Sequence, residues 1–274
     1  MRTKIYFLSD VHMGSQYHAD SMAVERKLVR WLSSISAEAK AIYFLGDMFD
    51  YWFEYKYVVP RGFVRFLGQC AMMADDGVEL HFLAGNHDPW MTDYFEKELG
   101  AQVHHTAIEF TDGNKRFRLS HGDSEYRCQK KRNDLIYRIF RNPILRKLYA
   151  AIHPRWTVGL AYGLSLHSRR KGLEKQTEGR VPHAYHNDYF DLENEWLVVQ
   201  AKAYLEKHPE IDFFMFGHRH LLVDLALPEQ KRILLLGDWI RYDSWAEWDG
   251  HTLSLCTLSD FDDVSESGRS AIAP

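Results

Sequence analysis

Cysteine is scarce: Cys70, Cys128 and Cys256 are the only three in 274 residues, far apart and in no CxxC pair. This argues against both a disulfide framework and a zinc–thiolate site. Also missing is any apolar run approaching the roughly 20 residues that a transmembrane helix needs. The segment Lys4-Ile5-Tyr6-Phe7-Leu8 reaches Asp10 before a secretory signal core could form, so a cytoplasmic chain is expected. No internal repeat and no low-complexity segment is present. What is there, 46% hydrophobic and 26% charged residues, is the composition of a globular protein large enough to bury its own core.

A net charge of -4 conceals a local imbalance. Residues 127 to 180 hold 14 Lys and Arg against 3 Asp and Glu, a balance of +11, while the rest of the chain stands at -15. Such asymmetry points to an anionic partner at the basic segment: phosphate, nucleic acid or a membrane surface.

Short apolar runs alternate with helical patterns through the first half. Lys4 to Leu8, Ala41 to Leu45 and Val78 to Ala84 read as buried strands. Between them lie a helix capped by Asp20 or Ser21, with Met22, Val24, Leu28, Trp31, Leu32 and Ile35 as its stripe, and a second helix around Gly62 to Ala74. This βαβαβ order implies parallel strands whose following loops line one edge, where open α/β sheets bind ligands. A hairpin across Asp112-Gly113-Asn114 and strands at Phe213 to Phe216, Arg232 to Leu236 and Thr252 to Leu258 predict a second sheet. Residues 127–191 lose strand signals and read as an inserted, basic helical cap, followed by a returning helix from Leu192 to Glu206. Residues 1–126 and 192–259 then form the core, and 260–274 are expected to be a disordered tail.

Five strand ends carry chemistry. They are Asp10-Val11-His12, Gly46-Asp47, Gly85-Asn86-His87-Asp88, His121-Gly122-Asp123 and Gly217-His218-Arg219-His220. In an extended segment residues two apart share a face, so Asp10 and His12, like His218 and His220, are expected to grip one ion from the same side. Oxygen and imidazole donors together suit manganese, iron or zinc better than calcium or copper(I). The seven donors, Asp10, His12, Asp47, Asn86, His121, His218 and His220, are too many for one ion. Two ions about 3.5–4 Å apart would use them and would serve in-line phosphoryl transfer. Gly46, Gly85, Gly122 and Gly217 are expected to permit tight turns and close backbone approach to a phosphate. Asp88 and Asp123 read as acceptors that orient their neighbours. The ten remaining histidines, among them His104, His105, His183 and His186, read as ordinary polar residues.

This ordered set of D-x-H, G-D, G-N-H-D, H-G-D and G-H-x-H resembles the calcineurin-like metallophosphoesterase superfamily over residues 4 to 258. The resemblance implies a four-layer α/β/β/α sandwich. It implies a first metal held by Asp10, His12, Asp47 and His220, and a second held by Asp47, Asn86, His121 and His218. His87 would lie just outside, stabilising phosphoryl oxygens or protonating the leaving group, so Asp47 and His87 are its catalytic candidates.

Flanking residues narrow the substrate. Leu45-Gly46-Asp47-Met48-Phe49-Asp50-Tyr51-Trp52-Phe53 and Leu235-Leu236-Gly237-Asp238-Trp239-Ile240, with Ser244 following, look like the UDP-2,3-diacylglucosamine hydrolase family of lipid A assembly. That likeness implies two divalent ions, usually manganese, and cleavage of a nucleotide-linked lipid to UMP and 2,3-diacylglucosamine 1-phosphate. It also implies a peripheral place on the cytoplasmic face of the inner membrane of a Gram-negative bacterium, with no nucleic-acid partner. The substrate-binding candidates are Asn86, His87, Ser168, Arg169, Lys171, Lys175 and His218. At position 87, where many members of that family carry Arg, this chain has His. Within the expected cap, Leu135, Ile136, Ile139, Phe140, Ile144, Leu145, Leu148, Tyr149 and Ile152 recur at three- and four-residue steps among Arg138, Arg141, Arg146 and Lys147. Such a stripe could shelter acyl chains and meet anionic headgroups; read blandly, it is core. Two rival readings stay open, a nuclease or nucleotide phosphodiesterase and a metal-bound binding subunit without catalysis.

Overall fold

The computed structural model describes residues 2–15, 18–124, 142–154, 156, 157, 159, 192 and 194–259. Four parallel strands, β1 (Lys4–Leu8), β2 (Ala39–Phe44), β3 (Glu79–Leu83) and β4 (Gln102–His104), lie side by side in one sheet. Antiparallel β10 (Ser244–Trp248) and β11 (Leu253–Thr257) extend it beyond β1. A second sheet runs in the order β5 (Ile108–Asp112), β6 (Lys115–Ser120), β7 (Phe213–Phe216), β9 (Arg232–Leu236), β8 (Leu222–Ala226). In it β6, β7 and β9 are parallel, so their C-terminal ends share one edge.

Strand alternation builds the layers. Ile5 and Phe7 of β1 point into the inter-sheet core with Phe117, Met215, Leu234 and Trp248, while Tyr6 and Leu8 face the helices. Those helices are α1 (Ser21–Ile35), α2 (Val64–Asp75) and α3 (Tyr94–Leu99). On the far side, Phe214, Phe216, Ile233 and Leu235 bury against Leu197, Val198 and Ala201 of α5 (Trp196–Leu205). The result is helices, sheet, sheet, helix, the expected four-layer α/β/β/α sandwich. Each large apolar side chain so buried contributes about 1.5–3 kcal/mol before entropy is set against it.

The expected tail and most of the expected cap lie outside the described residues. Of the cap, α4 (Pro143–Ala151) is described, with Asn142 capping it by accepting from the amides of Ile144 and Leu145. The returning helix starts at Trp196 rather than at Leu192. Neither buried Cys70 nor Cys256 joins a disulfide, and Cys128 lies outside the described residues.

Asp20 caps α1 by accepting from Met22 and Ala23, whereas α2 follows Phe63, which has no capping side chain. Buried Glu25 of α1 supplies that function from across the helix pair, accepting from the amides of Arg65 (2.8 Å) and Phe66 (3.2 Å). Glu25→Ala is therefore expected to cost about 1–2 kcal/mol, the worth of a lost cap. Urea unfolding of the two proteins would read it as a shifted midpoint at unchanged slope.

Candidate metal centre

Pairing continues beyond the strands and sets the site. Past β1 and β2 the amide of Asp10 donates to the Gly46 carbonyl (3.1 Å), His12 to Asp47 (2.9 Å) and Met13 to Met48 (2.9 Å). The first two motif loops thus run side by side. From the second sheet, the Gly217 amide donates to the His121 carbonyl (3.1 Å) and the His218 amide to Asp10 Oδ2 (2.8 Å), which joins the two sheets at this edge.

The loop residues are not extended. Asp10, His12, Asp47, His218 and His220 all have left-handed backbone, with φ from 48° to 67°. The expected reason for Asp10 and His12, or His218 and His220, to share a face is therefore corrected: a left-handed turn, not strand alternation, aims them inward. Asp and His tolerate this region better than most residues. Gly46 and Gly122 take the positive φ of the expected tight turns, 87° and 112°, and the glycines have a further role. A Cβ on Gly217 would fall 2.6 Å from Asp10 Oδ2, and one on Gly46 2.7 Å from His121 Nδ1, so these positions make room for the donor side chains themselves.

The structure brings Asp10, His12, Asp47, Asn86, His87, His121, His218 and His220 to one edge. His12 Nε2 lies 3.3 Å from His220 Nε2, 3.7 Å from Asp10 Oδ1 and 3.8 Å from Asp47 Oδ2, and His220 Nε2 lies 3.5 Å from Asp10 Oδ1. His121 Nδ1 donates to the Leu45 carbonyl (2.8 Å), which turns Nε2 toward Asn86 Oδ1 (3.1 Å) and Asp47 Oδ2 (3.3 Å). Three groups of converging donor atoms result: Asp10 with His12 and His220, Asp47 with His121 and His218, and His12 with Asp47 and His87. Asp47 belongs to two of them, and its other oxygen accepts from the His87 amide (2.8 Å).

Charge favours cations here. Burial alone would raise both carboxylates, yet the histidines outweigh it: His220 and His12 hold Asp10 at about 2, and His121 and His87 hold Asp47 well below its ordinary value. Burial pushes His87 and His218 down to about 4, so both rings are neutral near pH 7. Burial opposes charge on His121 too, but Asp47 lifts it well above the usual range, so a cation bound there would take the place of that ring proton. Asp10 Oδ1 is buried without a hydrogen-bond partner. A buried carboxylate oxygen without a partner, facing two imidazole nitrogens, fits a divalent cation, because metal ligands must be ionised carboxylates and neutral imidazoles.

Supporting residues lie around these donors. Buried Asp88 gathers four amides, Gly85 (2.8 Å), Met48 (2.9 Å), Asp47 (3.2 Å) and Phe49 (3.3 Å), and so binds the second loop to the third. Burial and the Asp47 charge push Asp88 up to about 7 against the pull of these donors. Arg219, between His218 and His220, makes a bidentate pair with buried Glu195 (2.8 and 3.0 Å) at the start of α5. Tyr51, Phe53 and Trp90, which follow the second and third motifs, pack around Tyr149 of α4. Asp50 and Asp238 were not assigned roles from sequence; His87 Nδ1 donates to the Asp50 carbonyl (3.1 Å), and His220 Nδ1 meets Asp238 Oδ2 (3.0 Å). The only signal for either was its place inside a quoted motif. Ser168, Arg169, Lys171 and Lys175 lie outside the described residues.

The calcineurin-like phosphoesterase family pattern matches residues 3–222. A UDP-2,3-diacylglucosamine hydrolase of Porphyromonas gingivalis is 64% identical over 262 residues, covering 96% of this chain and all of that protein. One of Nitrosococcus oceani is 25% identical over 246 residues, 86% of this chain and 87% of its own length. Among solved structures, the E. coli phosphoesterase Yfce aligns at 13% identity with a TM-score of 0.42, covering 94% of each chain.

Proposed function

As the chain belongs to the calcineurin-like phosphoesterase family, and to its UDP-2,3-diacylglucosamine hydrolases, we propose that it cleaves the pyrophosphate of UDP-2,3-diacylglucosamine to UMP and 2,3-diacylglucosamine 1-phosphate with the help of two divalent cations. The site observation that carries the chemistry is Asp47, whose carboxylate is shared by two groups of donors. The near full-length likeness to the Porphyromonas gingivalis hydrolase carries the substrate.

In this reading Asp10, His12, Asp47 and His220 hold one cation, and Asp47, Asn86, His121 and His218 the other. The oxygen and imidazole donor set suits manganese, iron or zinc, and the resemblance to the hydrolase family selects Mn2+ among them. Such a pair supplies Lewis-acid polarisation and makes water a competent nucleophile near neutral pH. The protein's part is to keep two carboxylates ionised and to fix the donors on a rigid edge. His87, its Nδ1 proton held by the Asp50 carbonyl and its ring neutral near pH 7, would have to take up a second proton at Nε2, as the incoming phosphate charge favours, before it could neutralise or protonate an oxygen of the phosphoanhydride.

The surface suits a lipid. Ile144, Leu145, Leu148 and Ile152 of the α4 region are exposed beside Lys147, and the segment around them carries the +11 balance. An anionic membrane face and a nucleotide diphosphate both complement it, which supports a peripheral place at the cytoplasmic face of the inner membrane and substrate contacts from Ser168, Arg169, Lys171 and Lys175. Among the described residues no helix is long and apolar enough to cross a membrane.

The test is UMP release from UDP-2,3-diacylglucosamine with MnCl2, set against bis-p-nitrophenyl phosphate and single-stranded DNA. Preference for the lipid and loss of turnover on chelation are expected; equal or faster cleavage of DNA would refute the substrate. His87→Ala should lower kcat by about 10²–10⁴-fold, the range for a proton-transfer group, with calorimetric Mn2+ binding nearly unchanged. Loss of a cation site instead would make His87 a ligand, completing the group with His12 and Asp47.

A further inference from the structure

The Gly237-Asp238-Trp239 turn after β9 has no part in the cation assignment, yet it lies against it. Because β9 runs parallel to β7 with Leu235 opposite Phe216, the turn emerges beside His218 and His220. It is held firmly. The Trp239 amide donates to the Asp10 carbonyl (3.2 Å), its indole to the Ser244 carbonyl (3.0 Å), and the Ser244 hydroxyl to the Leu236 carbonyl (2.6 Å).

Asp238 is 1% exposed and uses both oxygens as acceptors. Oδ1 takes the amides of Ile240 (3.0 Å) and Arg241 (2.7 Å), and Oδ2 lies 3.0 Å from His220 Nδ1. An ionised carboxylate only accepts, so in the neutral ring that a metal ligand requires, Nδ1 carries the proton and Nε2 presents its lone pair. That lone pair points to the place shared by Asp10 Oδ1 (3.5 Å) and His12 Nε2 (3.3 Å). We propose that Asp238 is a positioning residue that locks His220 in the one tautomer able to bind a cation through Nε2. The proposal rests on the metal reading above and adds the group that makes His220 competent for it.

Substitution by Asn separates this role from mere capping of the turn. An amide has one acceptor atom and one donor group, but Asp238 faces three hydrogens. Turning NH2 toward the two backbone amides would crowd several donors together, so the amide instead turns NH2 toward His220. Nδ1 must then accept, the ring proton moves to Nε2, and the cation is blocked. In Asp238→Ala, Nδ1–H can find water and Nε2 stays available, although the turn loses its cap.

The experiment is calorimetric titration of chelator-stripped protein with MnCl2, with melting temperatures read in parallel. The parent should bind two cations. Asp238→Asn should weaken one site by about 10–100-fold, the usual cost of losing such a partner, and spare the other. Asp238→Ala should weaken that site less while melting lower. In a His220→Ala background, Asp238→Asn should add no further loss. Asn binding like the parent, or Ala weakening the cation more than Asn, would overturn the proposal. If the parent itself binds fewer than two cations, the metal reading fails first and takes this inference with it. Independently of any variant's folding, imidazole 15N spectra of the chelator-stripped parent, assigned by comparison with His220→Ala, should show His220 protonated at Nδ1; protonation at Nε2 would sink the idea.

Discussion

Asp47→Asn is expected to lower kcat/KM on UDP-2,3-diacylglucosamine by at least about 10³-fold, or about 4 kcal/mol of transition-state stabilisation. The shapes of the two side chains match, so packing is kept. The charge that two groups of imidazoles converge on is lost. Asn is also the proper choice for the backbone, because residue 47 has φ 52° and Asn accepts left-handed conformations readily. Alanine there would add strain of order 1 kcal/mol and confuse the result. Circular dichroism should be unchanged, and Mn2+ titration should show both sites weakened, since Asp47 is shared. A variant retaining a tenth or more of parental kcat/KM would show that the shared carboxylate is not central.

Asp88→Asn is expected to destabilise the protein by about 3 kcal/mol, because each oxygen accepts from two of the four buried amides, so two must then face an NH2 group. For a chain of this size that lowers Tm by roughly 6–12 °C. Differential scanning calorimetry at fixed cation concentration measures it. The same substitution should reduce turnover, since Asp47 and Asn86 sit on the two loops that Asp88 ties together. A Tm within about 2 °C of the parent, where the scaling would give several, would mean that water or a local shift replaces the lost acceptor.

Sequence alone revealed the strands that are apolar on both faces. Phe7, Phe44, Phe82 and Phe214 lie in runs buried on both sides, which is why β1, β2, β3 and β7 were legible. The edge elements were not. β4 has three residues, β8 is half-exposed at the rim of its sheet, and α3 has six residues, too few for a periodic signal. β10 escaped because Ser244 and Glu247 interrupt its Trp and Ala residues, although Ala246 and Trp248 enter the inter-sheet core. At the candidate site, residue identities were readable because donors beside glycine follow each buried run. The backbone was not: Asp10, His12, His218 and His220 look strand-like in one dimension, and nothing in composition distinguishes an extended aspartate from a left-handed one. Asp238 stood in plain view within Gly237-Asp238-Trp239, but only parallel β7 and β9 reveal that it faces His220.

The neighbours of β1 bear on how the chain is made. One is β2, which follows it closely, and the other is β10, more than 230 residues downstream. At about 5–20 residues per second, a ribosome needs on the order of 10–50 seconds to deliver residues 244–248 after β1 has emerged. Throughout that interval Lys4-Ile5-Tyr6-Phe7-Leu8 offers one row of backbone amides and carbonyls to any passing strand. Until residues 244–248 arrive, closing that row depends on the pace of synthesis, so supplying a holding chaperone is expected to raise the soluble yield of the protein without changing the stability of the finished sandwich.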